Sequence, residues 1–215
     1  AVLMPTAGLA AAAFFFVFIA AQRPIDYLLA RMASRFLPLR PVPRLKLESI
    51  PEKGKTIAAV SVLVKDVEQA NSALDGLIAL KSGNDEENAA FVLLVDLPES
   101  ASETQTEDEN IVRALKRAEG LERVFVLVRR RSKCGKIWRG RERKRGAIED
   151  MNALLLGGGS ENFLYMSAVP EIPEYVVLLD ADSVIAPGGI RRAVAAMMHP
   201  LAASVDLMAF TCRYK

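Results

Sequence analysis

Residues Tyr175 to Asp182 read Y-V-V-L-L-D-A-D, an uninterrupted apolar run that ends in two aspartates one residue apart. Such a run reads as a buried strand that delivers its carboxylates to the edge of a sheet, which is where open α/β sheets bind ligands. Alternate residues of an extended strand point to the same side, so Asp180 and Asp182 together offer oxygen ligands to one hard cation. The chemistry suggested is metal-assisted handling of a phosphate or diphosphate. The plainer reading is a pair of aspartates that solvates a strand end.

The preceding residues supply the rest of a sheet. Thr56 to Val64 is rich in β-branched and apolar residues and predicts a first strand. Asp66 with Gln69 forms a capping box that opens a helix striped by Val67, Ala70, Leu74, Leu77 and Ile78, which Ser82-Gly83-Asn84 closes. Ala89 to Val95 predicts a second strand ending on Asp96, followed by an acidic loop from Leu97 to about Gln105. Thr106 with Glu109 caps a further helix, and Val124 to Val128 predicts a third strand. Strand, helix, strand, helix, strand implies right-handed crossovers and a mainly parallel α/β sheet with helices on both faces.

Between this third strand and the next helix lies the densest positive field of the chain, R-R-R-S-K-C-G-K-I-W-R-G-R-E-R-K-R-G, from Arg129 to Gly146. Such a block suits nucleic acid, an anionic membrane or a nucleotide phosphate, and also an ordinary solvated face. Its place after a strand end and before a helix expected over Ala147–Leu156 sets its last basic residues near a helix N-terminus, which favours anions. Asp96, the basic block and Asp180 with Asp182 are thus expected on one edge of the sheet.

The other end of the chain points to a bilayer. Residues 1–21 are apolar apart from Thr6, and at 1.5 Å per residue they reach about 31 Å, close to one bilayer core. We expect a transmembrane helix there, with a cleaved signal peptide as the alternative. The flank carries Arg23, Arg31, Arg35, Arg40, Arg44 and Lys46, so the positive-inside rule puts everything after Ala21 in the cytoplasm. Ile25, Leu28, Leu29, Met32 and Phe36 recur at helical spacing, predicting an amphipathic interface helix, or equally a helix packed against other spans of the same protein, which Pro38, Pro41 and Pro43 end and follow with a stiff connector; together these occupy 22–46.

Residue types narrow the chemistry. With His199 as the sole histidine, in Met-His-Pro at an expected helix end, Ser-His-Asp and Cys-His mechanisms have little to work with. Cys134 and Cys212 lie far apart with no zinc-ligand spacing, as expected of free thiols in a reducing compartment. The first residue is not methionine and Asp206 to Arg213 is strand-like, so a piece of a longer protein is expected.

Trp138-x-Gly140-x-Glu142-Arg143-Lys144-Arg145-Gly146-x-x-Glu149-x-x-Asn152 resembles the W-x-G-x-E-R-K-R-G block of the cyclic β-1,2-glucan synthases, glycosyltransferase family 84, membrane enzymes with a GT-A fold. Pro43-Arg44-Leu45, Ile50-Pro51, the strand closing on Asp96, Leu179-Asp180-Ala181-Asp182 and His199-Pro200 support the resemblance over residues 43 to 200, whereas Ser61-Val62 stands where that family has a Pro-Thr pair. The resemblance implies that 47–215 is the donor-binding part of a glycosyltransferase domain. It further implies that Asp96 contacts the uridine part of UDP-glucose, that Lys144 and Arg145 serve the uracil or diphosphate side, and that Asp180 and Asp182 hold Mg²⁺ or Mn²⁺. The expected partners are the UDP-glucose donor, a growing glucan acceptor, the lipid bilayer and further domains of the same polypeptide, with no nucleic acid; the expected location is a bacterial inner membrane. Inversion at the anomeric carbon requires a general base, and no residue here is assigned to it.

Three other readings compete. A cellulose-synthase-like transferase would make another linkage. A haloacid-dehalogenase-type phosphatase also ends a strand on paired aspartates, but there the motif opens the fold, whereas here three strands precede it. A membrane-tethered module binding RNA or anionic lipid through Arg129 to Arg145 would show affinity that falls steeply with salt and survives loss of both aspartates.

Overall fold

The computed structural model describes residues 3–36 and 42–201. It divides into two compact units, Ala1–Val42 and Pro43–Lys215.

The first unit is one helix, α1 (Leu3–Phe36). Phe14, Phe15, Phe16 and Phe18 are all exposed, and its Gly8–Phe36 part is long and apolar enough to cross a bilayer by length and composition. A span ending at Ala21 and a separate surface helix were expected, but the helix has no break there. Pro24 lies inside it and removes one backbone donor without ending the helix. Most of the expected proline connector lies outside the described residues, as do Asp206 to Arg213 and Cys212.

The second unit runs β1 (Thr56–Leu63), α2 (Val67–Gly83), β2 (Ala89–Asp96), α3 (Thr106–Leu115), β3 (Val124–Arg129), β4 (Ser132–Cys134), β5 (Ile137–Arg139), α4 (Arg143–Leu155), β6 (Phe163–Met166), β7 (Tyr175–Asp180) and α5 (Gly189–Met197). Five strands make one sheet in the order β6-β3-β2-β1-β7. β1 pairs in parallel with β2 and β7, and β2 in parallel with β3; β6 is the single antiparallel member, on the outer side of β3. The order turns back between β1 and β7, which makes their carboxyl ends the topological switch point where such sheets open a crevice.

The period of two along each strand sorts the core into two layers. Ala58, Phe91, Leu93, Val95, Val126, Val128 and Val177 pack under Ala70, Leu74 and Leu77 of α2, Ile111 and Leu115 of α3, and Ile190 and Val194 of α5. Ile57, Ala59, Val92, Leu94, Leu127 and Val176 face the opposite way, against Ala147, Met151, Leu154 and Leu155 of α4. Burial of these near-continuous apolar strands on both sides is what a mainly parallel sheet requires.

Local signals explain most boundaries, with four differences. Asp66 caps α2 as expected, its Oδ1 accepting from Gln69 N at 2.8 Å. The cap of α3 lies one residue earlier than Thr106: Gln105 N donates to Asp108 Oδ2 at 2.7 Å, because a buried arginine also holds that carboxylate. α4 begins at Arg143 rather than Ala147, which puts Lys144 and Arg145 inside its first turn. The basic block, expected as a loop, contains the β4–β5 hairpin, which a bridge between Trp138 and Ser100 ties to the acidic loop. β6 was not anticipated at all.

Candidate ligand site at the carboxyl edge

Counting in twos along the strands shows why the site forms where it does. Asp96 follows Val92 and Leu94, Arg129 follows Phe125 and Leu127, and Asp180 follows Val176 and Leu178, so all three lie on the α4 side of the sheet. They also sit at strand ends on the same edge, because β2, β3 and β7 run parallel.

Arg129 organises the middle of this edge. Its guanidinium is 2% exposed and makes four bonds: Nη1 to Asp96 Oδ1 at 2.7 Å, Nε to Asp150 Oδ2 at 2.8 Å, Nη2 to Arg141 O at 2.8 Å and Nη1 to Arg143 O at 3.1 Å. A fork with several fixed donors can bind two carboxylates and two carbonyls at once, which an ammonium cannot do with this geometry. The packing leaves no room for side chains nearby. A Cβ on Gly140 would lie 2.7 Å from Asp96 Oδ1, and one on Gly146 would collide with the carbonyl of Arg141. Between these glycines the backbone is left-handed at two residues that are not glycine, Glu142 (φ 52°) and Arg143 (φ 40°).

Asp96 is 8% exposed, and burial pushes its carboxyl up while the Arg129 guanidinium pulls it down. Its Oδ1 is taken by Arg129, whereas Oδ2 has no hydrogen-bond partner among the described residues. A cleft of about 400 Å³ opens over it, lined by Leu63, Pro98, Glu99, Arg139, Glu142 and Arg143 among others. Asp96 can therefore receive one further donor from a ligand.

Asp180 and Asp182 line a second, larger cleft of about 710 Å³ between α2, the end of β1 and the loop after β7. The strand stops at Asp180, and Asp182 lies in a turn beyond it, so the strand-alternation argument applies to Asp180 and not to Asp182. Ser183 closes that turn: its Oγ accepts from Asp180 N at 3.2 Å and its N donates to Asp180 O at 2.9 Å. Asp180 Oδ1 accepts from Lys144 Nζ at 2.5 Å, with both side chains more than half exposed. A cation thus already sits against this carboxylate. Two exposed carboxylates fit Mg²⁺ or Mn²⁺ only as part of a shell, completed by water and phosphate oxygens. Among the described residues no group of three or more His, Cys, Asp or Glu side chains forms a fuller cage.

The basic block is less of an open cradle than its composition suggests. Arg131 is buried in a two-pronged pair with Asp108 at 2.5 and 2.9 Å, and also donates to the carbonyls of Pro98 and Glu103. Arg130 pairs with Glu103, Arg139 with Glu99 and Arg141 with Glu149. Arg145 is paired with Glu149 at 2.9 Å and Glu142 at 3.5 Å, and it lines neither cleft. The structure thus brings Asp96 to one cleft, Asp180 and Asp182 to the other and Lys144 to Asp180, and leaves Arg145 aside. Sequence reasoning missed Arg129 and Asp150, although the parity of β3 carried the signal for Arg129. His199, just past α5, accepts from Leu201 N through Nδ1 at 3.1 Å, a local structural bond.

The chain is 30% identical over 168 residues to the cyclic β-(1,2)-glucan synthase NdvB of Rhizobium meliloti (strain 1021). The alignment covers 72% of this chain and 6% of that protein, so the chain spans a small part of its relative. No protein-family model matches.

Proposed function

We propose that this chain is the donor-binding part of a membrane glycosyltransferase with a GT-A-type fold, which takes glucose from UDP-glucose to build a β-1,2-glucan with inversion. The observation that carries the reading is the convergence of Asp96, Lys144 and Asp180, from three separate segments, on one edge and one face of the sheet at its switch point. The likeness to a glucan synthase supports the same class of chemistry.

In this reading the 400 Å³ cleft takes the nucleoside, whose donors meet the free oxygen of Asp96. Asp180 and Asp182 would hold Mg²⁺ or Mn²⁺, which supplies charge neutralisation at the diphosphate. Lys144 stands next to that position and exchanges its carboxylate partner for phosphate oxygen. As the glycosidic bond to UDP breaks, negative charge grows on the departing diphosphate, and a fixed ammonium stabilises that charge more than it stabilises the ground state. The residues beyond α1 work on the cytoplasmic side of a bacterial inner membrane, where nucleotide sugars are available, and the acceptor half of the reaction belongs to further domains of the polypeptide.

Titration of the chain with UDP-glucose, UDP and GDP-mannose, with and without Mg²⁺, tests the reading. The expected result is a preference for uridine nucleotides that depends on Mg²⁺ and that Asp182→Asn weakens by about tenfold. Equal binding of all three with or without metal, or binding that survives loss of both aspartates and falls steeply with salt, would sink it.

A further inference from the structure

The arginines between Arg129 and Arg145 are spent on carboxylates with one exception. Arg129, Arg130, Arg131, Arg139, Arg141 and Arg145 each have an ion pair, whereas Arg143 has no carboxylate within ion-pair distance among the described residues and acts on Asp96 only from further away. It lines the cleft of Asp96, a carboxylate about nine-tenths buried whose second oxygen has no hydrogen-bond partner among the described residues. The residue that follows it, Lys144, reaches Asp180 beside the other cleft.

Its placement is imposed rather than relaxed. A non-glycine residue in the left-handed region is costly and persists only where its surroundings over-determine it. Here the Arg129 guanidinium grips the carbonyls on both sides of Glu142, those of Arg141 and Arg143, while Gly146 packs against the first of them. The first turn of α4 also carries Arg143, Lys144 and Arg145 with no acidic residue, a charge arrangement opposed to the helix dipole unless an anion sits there.

We infer that Arg143, and not Arg145, is the guanidinium that joins Lys144 in gripping the phosphates of the bound nucleotide. This rests on the nucleotide-sugar reading above. A planar fork matches two phosphate oxygens, and Arg143 and Lys144, consecutive in the chain, reach from the nucleoside cleft to the carboxylate that would carry the metal.

The test uses the whole chain in its membrane or detergent, with UDP and uridine as paired probes. Arg143→Gln is expected to weaken UDP binding about tenfold while leaving uridine, followed by ligand-observed NMR, within twofold. Arg143→Lys is expected to recover part of the loss, and Arg145→Gln to bind UDP like the parent. An unchanged UDP affinity in Arg143→Gln overturns the assignment, as does an equal loss for UDP and uridine, or a tenfold loss in Arg145→Gln alone. If Arg143→Gln does not fold, Arg143→Lys and Arg145→Gln still decide the matter: equal UDP affinity in parent and Arg143→Lys, with a loss in Arg145→Gln, overturns it. Failure of the parent chain to bind UDP at all would instead remove the nucleotide-sugar reading, and the assignment with it.

Discussion

Asp96 is placed under two opposing demands. Burial at the end of β2 favours its protonated form, and the Arg129 guanidinium 2.7 Å away favours the ionised one. The net direction is upward from the ordinary value of 3.8, so the folded chain holds this proton more tightly than the unfolded chain does. Its contribution to stability is then complete below 3.8 and is lost as the pH rises through the folded-state value. Comparing urea midpoints of the parent and Asp96→Asn from about pH 4 to pH 7 should show the parent's advantage shrinking as pH rises. A gap that widens instead would mean that Arg129 outweighs burial. Legibility at this scale follows the same residues. Asp180 and Asp96 stand out in sequence because a carboxylate stops an apolar run, whereas Arg129 looks like the first of three solvated arginines. Only its parity in β3 and the acid closing β2 mark it as a buried counter-ion.

Among the elements, α4 is the one whose start decides the site. The helical stripe of Ile148, Met151, Leu154 and Leu155 was readable, but the start was not: Arg-Lys-Arg-Gly contradicts the usual acidic first turn, and the helix begins there because Arg129 holds the preceding carbonyls. Gly146→Ala would drive a methyl into the Arg141 carbonyl and the Arg129 fork, so a loss of about 1–3 kcal/mol is expected by chemical denaturation. Gly76→Ala is the natural comparison, since α2 exposes that glycine with nothing within 4 Å of a new Cβ. It should gain about 0.5–1 kcal/mol from helix propensity. Similar effects at both positions would show that the α4 turn is not tightly packed. The three central strands and their helices were legible because β-branched runs and caps such as Asp66 report local preference. β6 was not: four residues after Gly157-Gly158-Gly159 carry no period of their own, and only the unpaired edge of β3 makes Phe163–Met166 a strand. The β4–β5 hairpin was hidden in the same way, by a charged composition that reads as loop.

For the whole molecule, a long exposed apolar helix and a separately folded α/β unit imply different responses to the same treatment. Alkaline carbonate should leave the chain in the membrane fraction, because transfer of the α1 phenylalanines and alanines into lipid does not depend on charge. Release into the supernatant would rule out α1 as a span. The sheet order carries a consequence for how the unit comes to exist. β1 has β2 on one side and β7 on the other, and the two partners lie on opposite sides of most of the intervening chain. During synthesis the grouping around Arg129, with Asp96 and the start of α4, is complete in the chain before Tyr175 has been made. Until then β1 presents an open edge, which favours pairing with the wrong strand. Arrival of β7 closes that edge and brings Asp180 to Lys144 in one event, so the ion pair between them is also the last clasp of the sheet.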